Sequence, residues 1–128
     1  RVNTHLVQIL QALKSTYKIA LVTTASKENC YSILQHFSLT DLFDLILTQD
    51  DITQPKPNPE GFLMAMAHFD ATPEETVIFE DSDEVYNYYR RIYAKINKIG
   101  KNFMSEETNE DLLRILKSGN YKLIRNQR

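Results

Sequence analysis

Cysteine is nearly absent. Among 128 residues only Cys30 carries a thiol, which excludes an internal disulfide and a cysteine-based metal cluster, so the fold must stand on its core. A reducing, cytoplasmic setting is the expectation. Tryptophan is missing and glycine is confined to Gly61, Gly100 and Gly119, so no glycine-rich phosphate loop can be written into this chain. No apolar run approaches the roughly 20 residues of a membrane helix, and the polar opening RVNTHL does not read as a secretory leader, so neither membrane nor export is expected. What is present is the ordinary balance of a folded domain, 42% hydrophobic and 25% charged. No repeat or linker divides it, and residues 1–128 are expected to form one unit.

The net charge of -2 conceals a split. Residues 1–85 carry five basic and thirteen acidic side chains, whereas residues 86–128 carry ten basic and four acidic. A basic third of this kind suits an acidic partner, its own acidic neighbour or plain solvation. No recognised motif accompanies it, so nucleic acid is not the expected partner.

Apolar residues at helical spacing, Leu6, Ile9, Leu10 and Leu13, predict a helix over Asn3–Lys14. The run Tyr17–Thr23 predicts a strand covered on both faces. Ser26 is placed to cap a helix reaching about Phe37, Leu42–Thr48 reads as a second strand, and Gln49–Pro59 is a loop. Glu60–Phe69 then resumes helical periodicity and Glu75–Phe79 makes a third strand. This alternation is that of an α/β fold with a Rossmann-like parallel sheet between helical layers. Farther along, Val85–Ile99 looks helical and tyrosine-rich, Ser105–Ser118 is a clearer helix, and Tyr121–Ile124 an edge strand.

In an open parallel sheet, ligands bind beyond the carboxyl ends of the strands. Three polar groups fall there: Thr23, Thr24 and Ser26 after the first strand, Lys56 after the second, and Glu80, Asp81, Ser82 and Asp83 after the third. Hydroxyls, one ammonium and a carboxylate cluster are the parts that hold a phosphoryl group beside Mg2+, which prefers carboxylate oxygen. Taken singly, each also has a structural reading, as helix cap, loop lysine or offset to a helix dipole. His5, His36 and His68 lie in helical stretches without ligand spacing, and Cys30 reads as a small buried apolar residue.

In that order, IALVTTAS, QPKPNPEGF and TVIFEDSDE resemble the second, third and fourth motifs of the haloacid dehalogenase superfamily, its phosphatase and phosphomutase-like branch in particular. The likeness runs from about Leu6 to Val85. It implies that Thr24 binds the phosphoryl group, with Thr23 as the alternative, that Lys56 neutralises phosphate, and that Asp81 and Glu80 serve Mg2+. A small phosphorylated substrate is implied with them.

The departures from that pattern are as informative. Family members begin catalysis with an aspartate in a DxDx(T/V) motif at the end of an earlier, central strand, and no such strand is written here. Asp50-Asp51-Ile52-Thr53 has the wrong spacing and is rejected as the nucleophile. The missing strand leaves two strand edges whose unpaired amides cost on the order of 1–3 kcal/mol each when buried. Another segment, another chain or direct pairing of the neighbours is expected to fill the gap, and the sequence is expected to be the C-terminal core segment of a larger protein. After Ser82, tyrosines and Arg90-Arg91 replace the small residues usual in the family. Residues 1–85 thus carry the motifs and 86–128 form a diverged basic part. Two readings follow: a phosphohydrolase core whose nucleophile lies upstream, or a truncated, non-catalytic module that binds an anion or a partner.

Overall fold

A computed structural model describes residues 4–56, 58–80, 82–89 and 96–98. Four helices and four strands are assigned there: α1 (Thr4–Lys14), β1 (Ala20–Val22), α2 (Lys27–His36), β2 (Leu45–Leu47), α3 (Glu60–His68), β3 (Ile78–Glu80), α4 (Asp83–Tyr89) and β4 (Ile96–Lys98). The strands form two parallel pairs, β1 with β2 in register Leu21 to Ile46, and β3 with β4 in register Phe79 to Asn97. No described helix is long and apolar enough to cross a membrane.

Alternation along the strands builds a core on each face. Leu21, Ile46 and Phe79 turn to a cluster formed by Leu6 and Leu10 of α1, Cys30 and Leu34 of α2, and Leu39 and Leu42. Val22 and Ile78 turn the other way, to Phe62 and Met66 of α3 and to Val85 and Tyr86 of α4. The result is helices on both sides of parallel strands, as the α/β pattern requires.

Local chemistry sets the boundaries. Ser26 caps α2, its hydroxyl accepting from Asn29 N at 3.2 Å. Both α2 and α3 end in a left-handed residue, Ser38 (φ 57°) and Asp70 (φ 53°), where glycine is the usual choice. The next amides close the turn, Leu39 N donating to Leu34 O at 2.7 Å and Ala71 N to Met66 O at 2.8 Å.

Several expected boundaries need correction. The second strand does not start at Leu42, which is buried in a 3-10 turn over Thr40–Leu42. The third does not start at Glu75: that residue closes a capping box with Thr72 around Pro73–Glu75, and pairing begins only at Ile78. The long helix expected over Val85–Ile99 ends as Tyr89 in α4, and Ile96–Lys98 is strand β4. Spacing cannot separate a short apolar helix from a strand, and the open edge of β3 offers a ladder that an isolated segment lacks. The segments 105–118 and 121–124 lie outside the described residues.

Among the described residues, no strand pairs β1 with β3. Ile19 O accepts from Asp44 N at 2.8 Å and Thr23 N donates to Leu47 O at 3.0 Å, so odd-numbered residues of the β1 segment face β2. The backbone of Ala20 and Val22 therefore faces the opposite edge, where no described strand pairs with it, and β3 does not fill that edge directly.

Helix α3 lies against β1 through Gly61, where an added Cβ would stand 2.8 Å from Val22 Cγ1. Gly61→Ala gains about 1 kcal/mol of helix propensity but overpacks a stiff β-branched neighbour, a cost of about 1–3 kcal/mol. Net destabilisation of about 1 kcal/mol is expected from urea midpoints. In a Val22→Ala background the same change should be neutral or stabilising, and a stabilised single variant would show that the contact does not set the helix position.

Candidate functional site

The three motif loops are joined by one side chain. Lys56 sits in a turn closed by Asn58 N donating to Pro55 O at 3.0 Å. Its ammonium donates to Val22 O, at the end of β1, at 3.0 Å and to Glu80 Oε1, at the end of β3, at 3.2 Å. The lysine thus bridges the two strand pairs, which no described strand joins. Its ammonium also lies 5.2 Å from the ring centroid of Phe62.

Glu80 is buried, its side chain 5% exposed against 15% for Lys56, so this ion pair is screened little by water. The second carboxylate oxygen accepts from Ser82 N at 3.0 Å. A buried carboxylate needs such partners, because an unpaired charge in an apolar interior is among the costliest defects a fold can carry.

Thr23 and Thr24 follow directly on Val22. Thr23 is half-buried, its Oγ1 accepting from Ala25 N at 3.1 Å in a tight local turn, whereas Thr24 is exposed. Of the two hydroxyls, Thr24 faces solvent at the strand end. Asp81 lies outside the described residues. Ser82 and Asp83 lead into α4, Ser82 O accepting from Tyr86 N at 2.9 Å.

The rejected pair Asp50 and Asp51 serves local structure. Asp50 Oδ1 accepts from Lys27 N at the start of α2 at 3.1 Å, and Asp51 Oδ2 accepts from Thr48 N at 2.8 Å and Thr48 Oγ1 at 3.1 Å. Thr48 is wholly buried, so this box fixes the exit of β2. Cys30 is buried in the core, and burial pushes its thiol up. His5, His36 and His68 are exposed on their helices. Tyr86 packs into the α3 and α4 cluster while Tyr88 is exposed.

Glu60 carries a role that its position in the sequence did not announce. Its carboxylate accepts from Gln54 N at 2.7 Å and from Thr53 N and Thr53 Oγ1 at 3.0 and 2.9 Å. Those bonds, the Gln54 amide first, hold the carboxyl below the ordinary glutamate range. A shallow, open depression beside this loop, lined by Thr53, Gln54, Asn58, Glu60, Leu63 and Met64, includes none of Thr23, Thr24, Lys56 or Glu80. Polar convergence at the strand ends, rather than concavity, marks the candidate site.

Carboxylate oxygen is the right donor for a hard cation, and each Glu80 oxygen keeps acceptor capacity beyond the bond it already makes. Among the described residues, however, no group of three His, Cys, Asp or Glu side chains converges to hold a metal. A cation here needs ligands in addition to Glu80.

A family model described as haloacid dehalogenase-like hydrolase matches residues 1–87. Among curated proteins, the pyrophosphatase PpaX of Bacillus mycoides is 38% identical over 69 residues, covering 54% of this chain and 32% of that protein. PpaX of Halalkalibacterium halodurans is 39% identical over 66 residues, covering 52% and 31%. The matched stretch is about a third of the length of these relatives. Among solved structures, a haloacid dehalogenase-superfamily hydrolase from Ehrlichia chaffeensis superposes with a TM-score of 0.70 at 25% identity, over 91% of this chain and 58% of that one. A subfamily IA hydrolase of the same superfamily from Geobacter sulfurreducens gives 0.55 at 25% identity, over 65% and 42%.

Proposed function

The chain belongs to the haloacid dehalogenase-like hydrolases, and from that premise we propose that it is the phosphate-handling part of a phosphohydrolase core. The observation that carries this reading is Lys56, whose ammonium bridges Val22 O and Glu80 where β1 and β3 end. A fixed cation at that point would neutralise phosphoryl oxygens, and the exposed Thr24 hydroxyl would donate to one of them, with Thr23 as the alternative donor. The substrate class is a small phosphate monoester. The name of the PpaX relatives adds inorganic pyrophosphate as a second probe.

The nucleophile is proposed to be an aspartate on a strand from outside these residues, seated along the edge of β1 that no described strand pairs with. Its carboxylate attacks phosphorus, the leaving oxygen departs with a proton, and water then cleaves the aspartyl phosphate. Asp81 with Glu80 is proposed to hold Mg2+, which when bound would offset phosphoryl charge. A cytoplasmic setting belongs to the same proposal, since the single thiol is buried and unpaired with another cysteine.

The test compares this chain with one extended upstream of Arg1, assaying phosphate release from an aryl phosphate and from pyrophosphate with and without Mg2+. The extended protein should turn over only with the metal, and Asp81→Asn should cost about 100-fold or more. Turnover by neither protein on either substrate would leave anion or partner binding as the better reading. Equal turnover by both would place the nucleophile within the 128 residues.

A further inference from the structure

We propose that Glu60 is a positioning residue for Lys56, its carboxylate closing the loop of residues 53–60 so that the ammonium is delivered to the gap between β1 and β3. The assignment rests on the reading of Lys56 as the phosphate-handling cation. Glu60 stands at the first turn of α3, yet its carboxylate does not serve that helix: it reaches back six and seven residues to Gln54 and Thr53. Both of its oxygens are used, Thr53 N approaching them at 3.0 and 3.2 Å and Thr53 Oγ1 at 2.9 and 3.1 Å.

Within this clasp the loop is cross-tied again. Asn58 Nδ2 donates to Gln54 Oε1 at 2.6 Å, and Glu60 N donates to Asn58 Oδ1 at 3.0 Å. Lys56 occupies the tip of the turn so closed, between Pro55 and Asn58. A lysine is a point charge on a flexible four-carbon stem, so the place its ammonium can reach is decided by where its backbone is held. The clasp requires a carboxylate in particular. Three donors converge on two acceptor oxygens, whereas a glutamine amide has one acceptor oxygen and two donors of its own.

The chain supplies its own control. Glu75 accepts from Thr72 N at 3.0 Å and from Thr72 Oγ1 at 3.1 Å, the same chemistry in a turn that does not carry Lys56. In the 128-residue chain, Glu60→Gln and Glu75→Gln are compared by acylation of each lysine with an amine-reactive reagent, mapped by mass, and by amide hydrogen exchange. Glu60→Gln should raise Lys56 acylation about 5-fold and exchange at Thr53 and Gln54 about 10-fold, with Lys14, Lys18 and Lys27 unchanged. Glu75→Gln should leave Lys56 within about 2-fold of the parent. Thr53→Val, which deletes one donor and keeps the charge, should shift Lys56 in the same direction by less, and it serves where Glu60→Gln fails to fold. Unchanged Lys56 reactivity, or an equal rise at every lysine, overturns the assignment. Neither readout depends on turnover: absent hydrolysis in the extended protein defeats the functional reading alone, and hydrolysis with Lys56 acylation unmoved by Glu60→Gln defeats the clasp alone.

Discussion

Lys56→Met is expected to destabilise the 128-residue chain by about 3–5 kcal/mol, the cost of stranding one member of a buried ion pair. Without the ammonium, the Glu80 carboxylate, 5% exposed, keeps among the described residues only its neutral bond from Ser82 N, and Val22 O loses the donor it has at 3.0 Å. The penalty is therefore the desolvated charge left behind more than the attraction removed. Adding Glu80→Gln to Lys56→Met should recover most of the loss, since the charge goes while the shape remains, giving a coupling on the order of 2 kcal/mol or more in the cycle. Lys14→Met is the control. Lys14 pairs with Asp44 at 3.4 Å with side chains 34% and 22% exposed, and so wet a pair contributes at most about 1 kcal/mol. Urea midpoints for Lys56→Met, Glu80→Gln, the double variant and Lys14→Met decide the matter. A Lys56→Met loss no larger than that of Lys14→Met would mean that water reaches Glu80 freely and that the strand ends are not held as described.

The same pair explains how the two halves of the proposed site depend on each other. Lys56 is held by Glu80 while both face the edge at which a nucleophile-bearing strand is proposed to dock. An arriving phosphoryl group would compete with Glu80 for the ammonium, which keeps a third N–H beyond the two it donates here. Lys56→Met in the upstream-extended protein should accordingly combine instability with lost turnover, and the Glu80→Gln double variant should restore folding without restoring hydrolysis.

What could be read from the residues was the order of the parts. Thr23 and Thr24, Lys56 and Glu80 each follow a short apolar run, and topology brings the ends of such runs to one rim whatever their exact lengths. The cap at Ser26 was legible because it depends on neighbours three residues away. Strand limits were not. Leu42 and Glu75 have side chains compatible with strands, and only the ladder, a tertiary fact, excludes them. Ile96 was misassigned for the same reason, since its partner, Ile78, lies eighteen residues upstream. Glu60 does not stand out in the sequence, because a carboxylate at the start of a helix already has an adequate local explanation. A signal was present in the run Thr53 to Glu60, where Thr, Gln and Asn surround a lysine flanked by prolines, but only the folded loop shows which donors meet which acceptor.

Leu6→Ala should be the other large effect, about 2.7–5 kcal/mol, the range for deleting a fully buried leucine from a core that cannot collapse onto the void. Leu6 is 0% exposed and belongs to the cluster that receives Leu21 from β1, Ile46 from β2 and Phe79 from β3. That membership matters because, among the described residues, no backbone ladder joins the two strand pairs. Among the described residues their alignment rests on side chains: this cluster on one face, Val22 with Ile78 and Phe62 on the other, and the Lys56 bridge at the rim. A cavity in the cluster that receives Leu21 and Phe79 should therefore loosen the rim as well as the core. Leu6→Ala is expected to raise acylation of Lys56 more than that of Lys27, whereas Leu63→Ala, at a side chain 47% exposed on α3, should cost less than about 1 kcal/mol and leave Lys56 unchanged. If Leu6→Ala lowers the unfolding midpoint by the expected amount while Lys56 keeps its parental reactivity, the rim is aligned by the opposite face, and Phe62→Ala should then expose the lysine instead.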